Sequence, residues 1–371
     1  MHTFWITDTE LDKEQAQAVK GVPANSSFLL RGPAGSGKTN ILLLRAKWLK
    51  LKKISEFKII VFTSSLKTFV REGCDQYGIP EETVVTANQL LKDLLTEYNI
   101  EYEITNDFET DRSMLAGKAM SLIDEYEISN IYEAILIDES QDYMDTELLI
   151  FRKLTPRLVL AADSRQSIYR TTHTPNFLEK LVDNNTITLK YHYRSGLSIC
   201  NVADHILKDS VNFPPMRGEC KYNETAKPSS VLISELPSFA QQTNEILTKI
   251  PGQLSLYPGE HIGVLFPKKE QVQSFKASLA LAKISESERV WTDTLHGGKG
   301  WEFRAVHIGG CESLYKMGPT QKRLAYTGIL RAKTSVNVYY TGKIPGYLES
   351  AIASINPPPA EPELSDLFGA K

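Results

Sequence analysis

Residues 32–39 read Gly32, Pro33, Ala34, Gly35, Ser36, Gly37, Lys38 and Thr39. Glycines at this spacing let backbone N–H groups turn inward and form a concave nest that suits phosphate oxygens. Lys38 would reach the β and γ phosphates of a nucleoside triphosphate, and the Thr39 hydroxyl would hold Mg2+. The plainer alternative is a glycine-rich turn that binds phosphate only for structure, or binds nothing. A second string, LIDESQD at 136–142, sets the adjacent carboxylates Asp138 and Glu139 at the end of an apolar run. Asp138 would join Thr39 in the Mg2+ shell, and Glu139 would take a proton from, or orient, the attacking water. Strand-end acids by themselves often cap a helix. Downstream of a phosphate nest they imply hydrolysis of ATP, with ATP and Mg2+ as the bound cofactors.

Such groups need a rigid edge to hold them. The apolar run at 26–30 precedes the nest, and a leucine-rich helical stretch from Thr39 to Leu51 follows it, which places phosphate at a helix N-terminus. Short β-branched, apolar segments at 57–64, 134–140 and 157–163 read as buried parallel strands. A second series follows at 186–191, 229–236, 261–267, 305–311 and 335–342. Helical patterns lie between, for example at 88–98 and 270–282. Alternation of this kind, twice over, predicts two parallel-sheet α/β domains, at 1–180 and 181–345. The stretch from Glu97 to Glu127 is acidic, with Arg112 and Lys118 as its opposing charges, and reads as a solvated helical insertion at about 97–130 in the first domain. The end of the chain, 346–371, becomes proline-rich and reads as a flexible tail.

Composition narrows the class. Hydrophobic residues at 42% and charged residues at 23% fit a soluble globular protein, and no apolar stretch is long enough to cross a bilayer, so no membrane partner is expected. The opening residues, MHTFWITDTELDKEQ, are acidic and lack the basic-then-apolar pattern of a signal peptide. Cys74, Cys200, Cys220 and Cys311 are scattered without paired metal spacing and read as reduced thiols of a cytoplasmic protein. A net charge of −3 does not advertise a nucleic-acid partner globally, so any such site must be a local groove.

With these residues assembled, the chain resembles the UvrD/Rep/PcrA group of superfamily 1 helicases, in order, from Leu11 to Gly342. The stretch 11–19 resembles the adenine-reading glutamine motif, with Gln15 the base contact. Residues 61–70 resemble the first strand-contacting motif, and 161–170 the sensor motif, where Gln166 would touch the γ phosphate. Residues 190–195 resemble the motif that lays a tyrosine, here Tyr193, on the adenine and an arginine, here Arg194, on the γ phosphate. Residues 294–303 are similar to the T-x-H-x-x-K-G-x-E-F motif, giving Glu302 to the ribose and His296 to the nucleic acid. Residues 323–333 resemble the last motif, with Arg331 as the second arginine finger. The resemblance implies two tandem RecA-like domains with the ATP site in the cleft between them, closing on ATP and opening after hydrolysis to step 3′–5′ along single-stranded DNA, or RNA. Phe62, Thr63, Thr86, Tyr169 and His296 are its candidate nucleic-acid contacts. Phe62 and Tyr169 fit core aromatics equally, and either arginine alone fits a salt bridge.

The departures shape the expectation too. The family's large accessory insertions are reduced to the short acidic segment. Thr171, Thr172 and His173 stand where the sensor motif normally continues with an aromatic residue, arginine and glycine, so a base-stacking wedge is lost. Asn40 replaces an arginine often found after the phosphate nest. ATP hydrolysis is therefore better supported than duplex unwinding, and the alternative is an ATP-controlled subunit that licenses a partner such as a nuclease. In the tail, Leu364, Leu367 and Phe368 resemble the short peptides that dock on sliding clamps, and equally fit an apolar cluster in a disordered segment.

Overall fold

The computed structural model describes residue 5 and residues 11–105, 107–169, 173–174, 176–208 and 214–355. The proposed clamp-docking peptide and the substituted Thr171 and Thr172 lie outside them. The chain forms two compact units, Met1–Arg194 with Lys299–Trp301, and Ser195–Gly298 with Glu302–Lys371.

The first unit carries strands β1 (Phe28–Arg31), β2 (Phe57–Val61), β3 (Val84–Thr86), β4 (Ala134–Ile137), β5 (Leu158–Ala162) and β6 (Thr186–Thr188). They make one sheet in the order β3-β2-β4-β5-β1-β6, with every pair parallel. Its helices are α1 (Lys13–Ala16), α2 (Lys38–Leu51), α3 (Ser64–Tyr77), α4 (Ala87–Glu97), α5 (Phe108–Glu125), α6 (Asp145–Leu154) and α7 (Phe177–Lys180). The central strands β4 and β5 are buried at every position, as crossover helices on both faces require. Thr63, Thr86 and Asp107 cap α3, α4 and α5 with their side-chain oxygens, supplying acceptors to otherwise orphaned N–H groups.

The second unit carries helices α8 (Leu197–Ile206), α9 (Phe239–Leu256), α10 (Lys269–Ala282), α11 (Gln321–Ile329) and α12 (Gly346–Ala353). Its strands are β7 (Ser230–Glu235), β8 (Ile262–Phe266), β9 (Val290–Thr294), β10 (Phe303–Ile308) and β11 (Ala332–Tyr340), in the order β7-β11-β10-β8-β9, again all parallel. Ile246, Ile250, Val264, Phe266, Phe275 and Tyr339 fill its core. Two parallel sheets with alternating helices are the α/β architecture expected of tandem RecA-like domains. Among the described residues no helix is long and apolar enough to cross a membrane.

Three local expectations give way. The tail expected to be flexible from 346 instead opens with α12, which buries Leu348, Ala351 and Ile352. The segment at 186–191, expected to open the second series, instead pairs with β1 at the edge of the first sheet. The acidic segment is not simply solvated. Leu115, Ala116, Ala119, Leu122 and Ile123 of α5 are buried in the same core as Leu91, Leu94 and Leu95 of α4. Their spacing is one helical face, and Glu109, Asp124 and Glu125 of the same helix are exposed, while Asp111 is buried. β3 and β9 are strands that the sequence reading did not single out.

Candidate active site

The phosphate nest follows β1 and opens α2 at the carboxyl end of the first sheet. Gly37 is the N-cap of α2 with φ +84° and Gly35 has φ +75°, left-handed conformations that a side chain disfavours. A Cβ on Gly35 would also lie 2.5 Å from Cβ of Arg194. Lys38 arches back over the loop, and its ammonium donates to the carbonyls of Gly32 at 2.9 Å and Pro33 at 3.0 Å. Burial lowers the lysine pKa, opposed by the carboxylates of Asp163, Glu139 and Asp138. Ser36 Oγ is buried with no hydrogen-bond partner.

The acidic loop follows β4, two strands away. Thr39 Oγ1 donates to Asp138 Oδ2 at 2.7 Å, so the two expected Mg2+ ligands are already neighbours. Burial, and then the charge of Glu139, push the Asp138 carboxyl up to about 6. A divalent cation would relieve that crowding of buried negative charge, and the oxygen-only donor set suits Mg2+. Glu139 is left-handed at φ +52°. Its carboxylate accepts from Gln141 Nε2 at 2.5 Å. Asp163, after β5, completes the cluster: its N–H donates to Gln141 Oε1 at 2.9 Å, and Gln166 Nε2 donates to its Oδ2 at 2.8 Å.

Residues 15–172 match the AAA domain family. The match runs in one stretch through the phosphate nest, the acidic loop and Gln166. The crystal structure of the Arterivirus nonstructural protein 10 (helicase) is similar at 13% identity and a TM-score of 0.42, over 87% of this chain and 61% of that one. This chain thus spans less than two thirds of that structure's length. No curated protein matches the sequence.

Around the nest the structure gathers three more of the residues named from sequence. Tyr193 N–H donates to Gly35 O at 3.0 Å, and its exposed ring reaches Asp12, with OH to Oδ2 at 2.6 Å. Gln15 lies under the loop, where its carboxamide donates to Ser36 O at 3.0 Å and accepts from the Asp12 N–H at 3.0 Å. Arg194 is half-buried and packs on Gly35. Asn40, in the place of the expected arginine, is buried and accepts from Tyr77 OH at 3.0 Å.

Lys299 lies within the 294–303 motif, and the sequence alone gives it no role. It belongs to the first unit, is 2% exposed, pairs with Asp142, and donates to Gln166 O at 2.7 Å. Its ammonium lies 3.6 Å from Glu139 Oε2. Burial still pushes the Asp142 carboxyl up to about 6, with Lys299 opposing.

Four of the five candidate nucleic-acid residues line one cavity of about 440 Å3 in the first unit. Phe62 and Tyr169 face each other at 4.3 Å between ring centroids, and Thr63 and Thr86 stand at the N-termini of α3 and α4. Phe108 and Arg112 of α5 also line it, and neither was foreseen. His173 pairs with Asp145 and stacks on Phe177 at 5.4 Å.

The remaining candidates belong to the second unit. Arg331 is 1% exposed, with Nε donating to Thr327 O at 3.0 Å. Glu302 lies 3.9 Å from Lys333 Nζ. His296 is half-buried in the turn after β9.

Proposed function

We propose that the protein is an ATP-dependent nucleic-acid motor of UvrD-like superfamily 1 type that moves 3′–5′ on single-stranded DNA in the cytoplasm. The observation that carries this reading is the convergence of Lys38, Thr39, Asp138, Glu139, Asp163 and Gln166 at one sheet edge, with an aromatic cavity in the same unit.

Phosphoryl transfer is mostly positioning and charge stabilisation. The nest and Lys38 hold the β and γ phosphates. Thr39 and Asp138 hold Mg2+, which neutralises developing phosphate charge when bound. Water attacks the γ phosphorus as the bond to the β–γ bridging oxygen breaks, and Glu139 takes the water's proton. Gln166, Arg194 and Arg331 grip the γ phosphate, Gln15 and Tyr193 hold the adenine, and Glu302 holds the ribose. Loss of the γ phosphate releases that grip, which is how hydrolysis drives a step. Phe62 and Tyr169 stack on bases, while Thr63, Thr86 and His296 hold the strand.

A second reading, an ATP-controlled subunit that licenses a partner such as a nuclease, is favoured by Thr171, which stands where the family has an aromatic base wedge. One experiment decides. ATPase rates are measured with and without single-stranded DNA and RNA, beside strand displacement on a 3′-tailed duplex. Strong stimulation with displacement supports the motor; binding without stimulation supports the switch; neither sinks both.

A further inference from the structure

The aromatic cavity contains a donor that the described residues leave unused. Arg112 lines it and is 1% exposed. Its Nε donates to Glu147 Oε1 at 2.8 Å, and its Nη2 bonds Asp142 O at 2.8 Å as well as Glu147 Oε2. Nη1 is buried with no hydrogen-bond partner among the described residues. A buried donor without an acceptor costs free energy, and such a group calls for an explanation, a missing ligand acceptor being one.

The surroundings say which acceptor fits. Glu147 is fully buried against Arg112, so the pair is neutral as a whole and attracts anions weakly. What Arg112 itself still offers is one directional N–H, beside Asn88, Gln89 and Lys92, which also line the cavity. Phe62 lies against the guanidinium, with Cζ 4.9 Å from its ring centroid, and the rings of Tyr169 and Phe108 pack beside Phe62 at 4.3 and 6.1 Å between centroids, so the cavity wall is aromatic. At about 440 Å3 the cavity has small-ligand size. The rim residues Thr63 and Thr86, at two helix N-termini, suit a phosphate.

We propose that the cavity takes one unstacked base of a single strand and that Arg112 Nη1 donates a hydrogen bond to an exocyclic carbonyl oxygen of that base. Thymine, uracil, cytosine and guanine carry such an oxygen and adenine does not, so Arg112 sets a preference against adenine. This inference rests on the nucleic-acid reading above. It gives Arg112 a specificity role that stacking on aromatic faces alone, which every base allows, would not supply.

The test uses the full chain at one fixed salt concentration and two short oligonucleotides. One is all thymidine, and the other carries difluorotoluene, which keeps the shape of thymine without its carbonyl oxygens, at every position. Anisotropy should show the wild type binding the thymidine strand roughly tenfold tighter, as loss of a hydrogen bond to a charged donor predicts. Removing Arg112 alone would strand a buried carboxylate, so the variant is Arg112→Met with Glu147→Leu, which removes both charges. Thermal unfolding confirms its fold, and it should bind the two strands equally. Equal affinity in the wild type, or persisting discrimination in the double variant, overturns the donor role. If the thymidine strand fails to bind the wild type, the nucleic-acid reading falls and takes this inference with it. If the double variant does not fold, the wild-type comparison decides alone.

Discussion

The two units share a parallel α/β plan and differ in what they bury. In the first, Lys38, Arg45, Asp111, Arg112, Asp138, Glu139, Asp142, Glu147, Asp163 and Lys299 are all buried. In the second, among the described residues, Arg331 is the buried side chain that carries a formal charge, and the other buried polar groups are neutral amides, hydroxyls and His307. Buried charge costs desolvation that pairing only partly returns. A sheet of this kind does not need it, as the second unit demonstrates with nearly the same topology. Part of that charge holds the local fold, as Arg45 does on the carbonyls of Val19, Val22 and Pro23, and the rest gathers around the glycine-rich loop and the acidic loop.

The strongest way to break this contrast is to remove that charge. Lys38→Ala and Glu139→Gln should each lower ATP turnover by at least about 100-fold, the scale of losing one preorganised charge contact. Steady-state phosphate release measures it, and near-wild-type turnover in either variant would end the hydrolase reading. Next in size is Lys299→Met, which leaves Asp142 buried without its ion pair. Breaking a buried pair costs about 3–5 kcal/mol, so the first unit should melt well before the second in calorimetry. An unchanged melting profile would show that Lys299 is dispensable for the acidic loop.

These residues also mark how far sequence could be read. The phosphate nest and Asp138–Glu139 are contiguous strings, each fixed by local backbone demands, and strands β1, β2, β4 and β5 announce themselves as unbroken apolar runs. Arg112 was legible only as an opposing charge in an acidic segment. Its partner Glu147 lies 35 residues on, and nothing local signals the pairing. Lys299 is further removed still, 157 residues from Asp142. The burial of α5 was hidden because a charge count averages over a helix, whereas burial follows one face of it. β6 was assigned to the wrong sheet because a three-residue, half-polar edge strand carries no mark of its neighbour.

A smaller effect sharpens the contrast from the second unit's side. His307 is buried between Tyr339 OH at 3.0 Å and Gln253 Oε1 at 2.7 Å. Burial, helped by the nearby Lys249 ammonium, lowers its pKa from 6.5 to about 3. The folded state thus refuses a proton that the unfolded chain accepts. The stability that the neutral ring contributes is whole above pH 6.5 and drains away as pH falls toward 3, by up to about 4–5 kcal/mol. His307→Gln should flatten the acid limb of the second unit's melting curve between those limits. An unaltered slope would mean that acid sensitivity enters elsewhere.

The mildest test concerns the cysteines, three of which belong to the second unit. Cys200 and Cys220 are far apart in sequence, yet both sulfurs lie 3.4 Å from Ser195 O. Cys220 is half-buried, and the Cys200 thiol donates to it, lowering its pKa to about 7. Cys200 itself is pushed far up, chiefly by that same hydrogen bond. Burial raises Cys74 to about 12 and Cys311 still higher. The thiolate is the reactive form, so iodoacetamide at neutral pH should label Cys220 ahead of the other three. Its rate should rise with pH through a midpoint near 7, read by peptide mass. Cys220 is half-buried, whereas the carboxylates Asp138, Glu139 and Asp142 of the first unit are buried. Labelling of Cys74 at an equal rate would show instead that access to solvent, and not the paired thiol, governs which sulfur reacts.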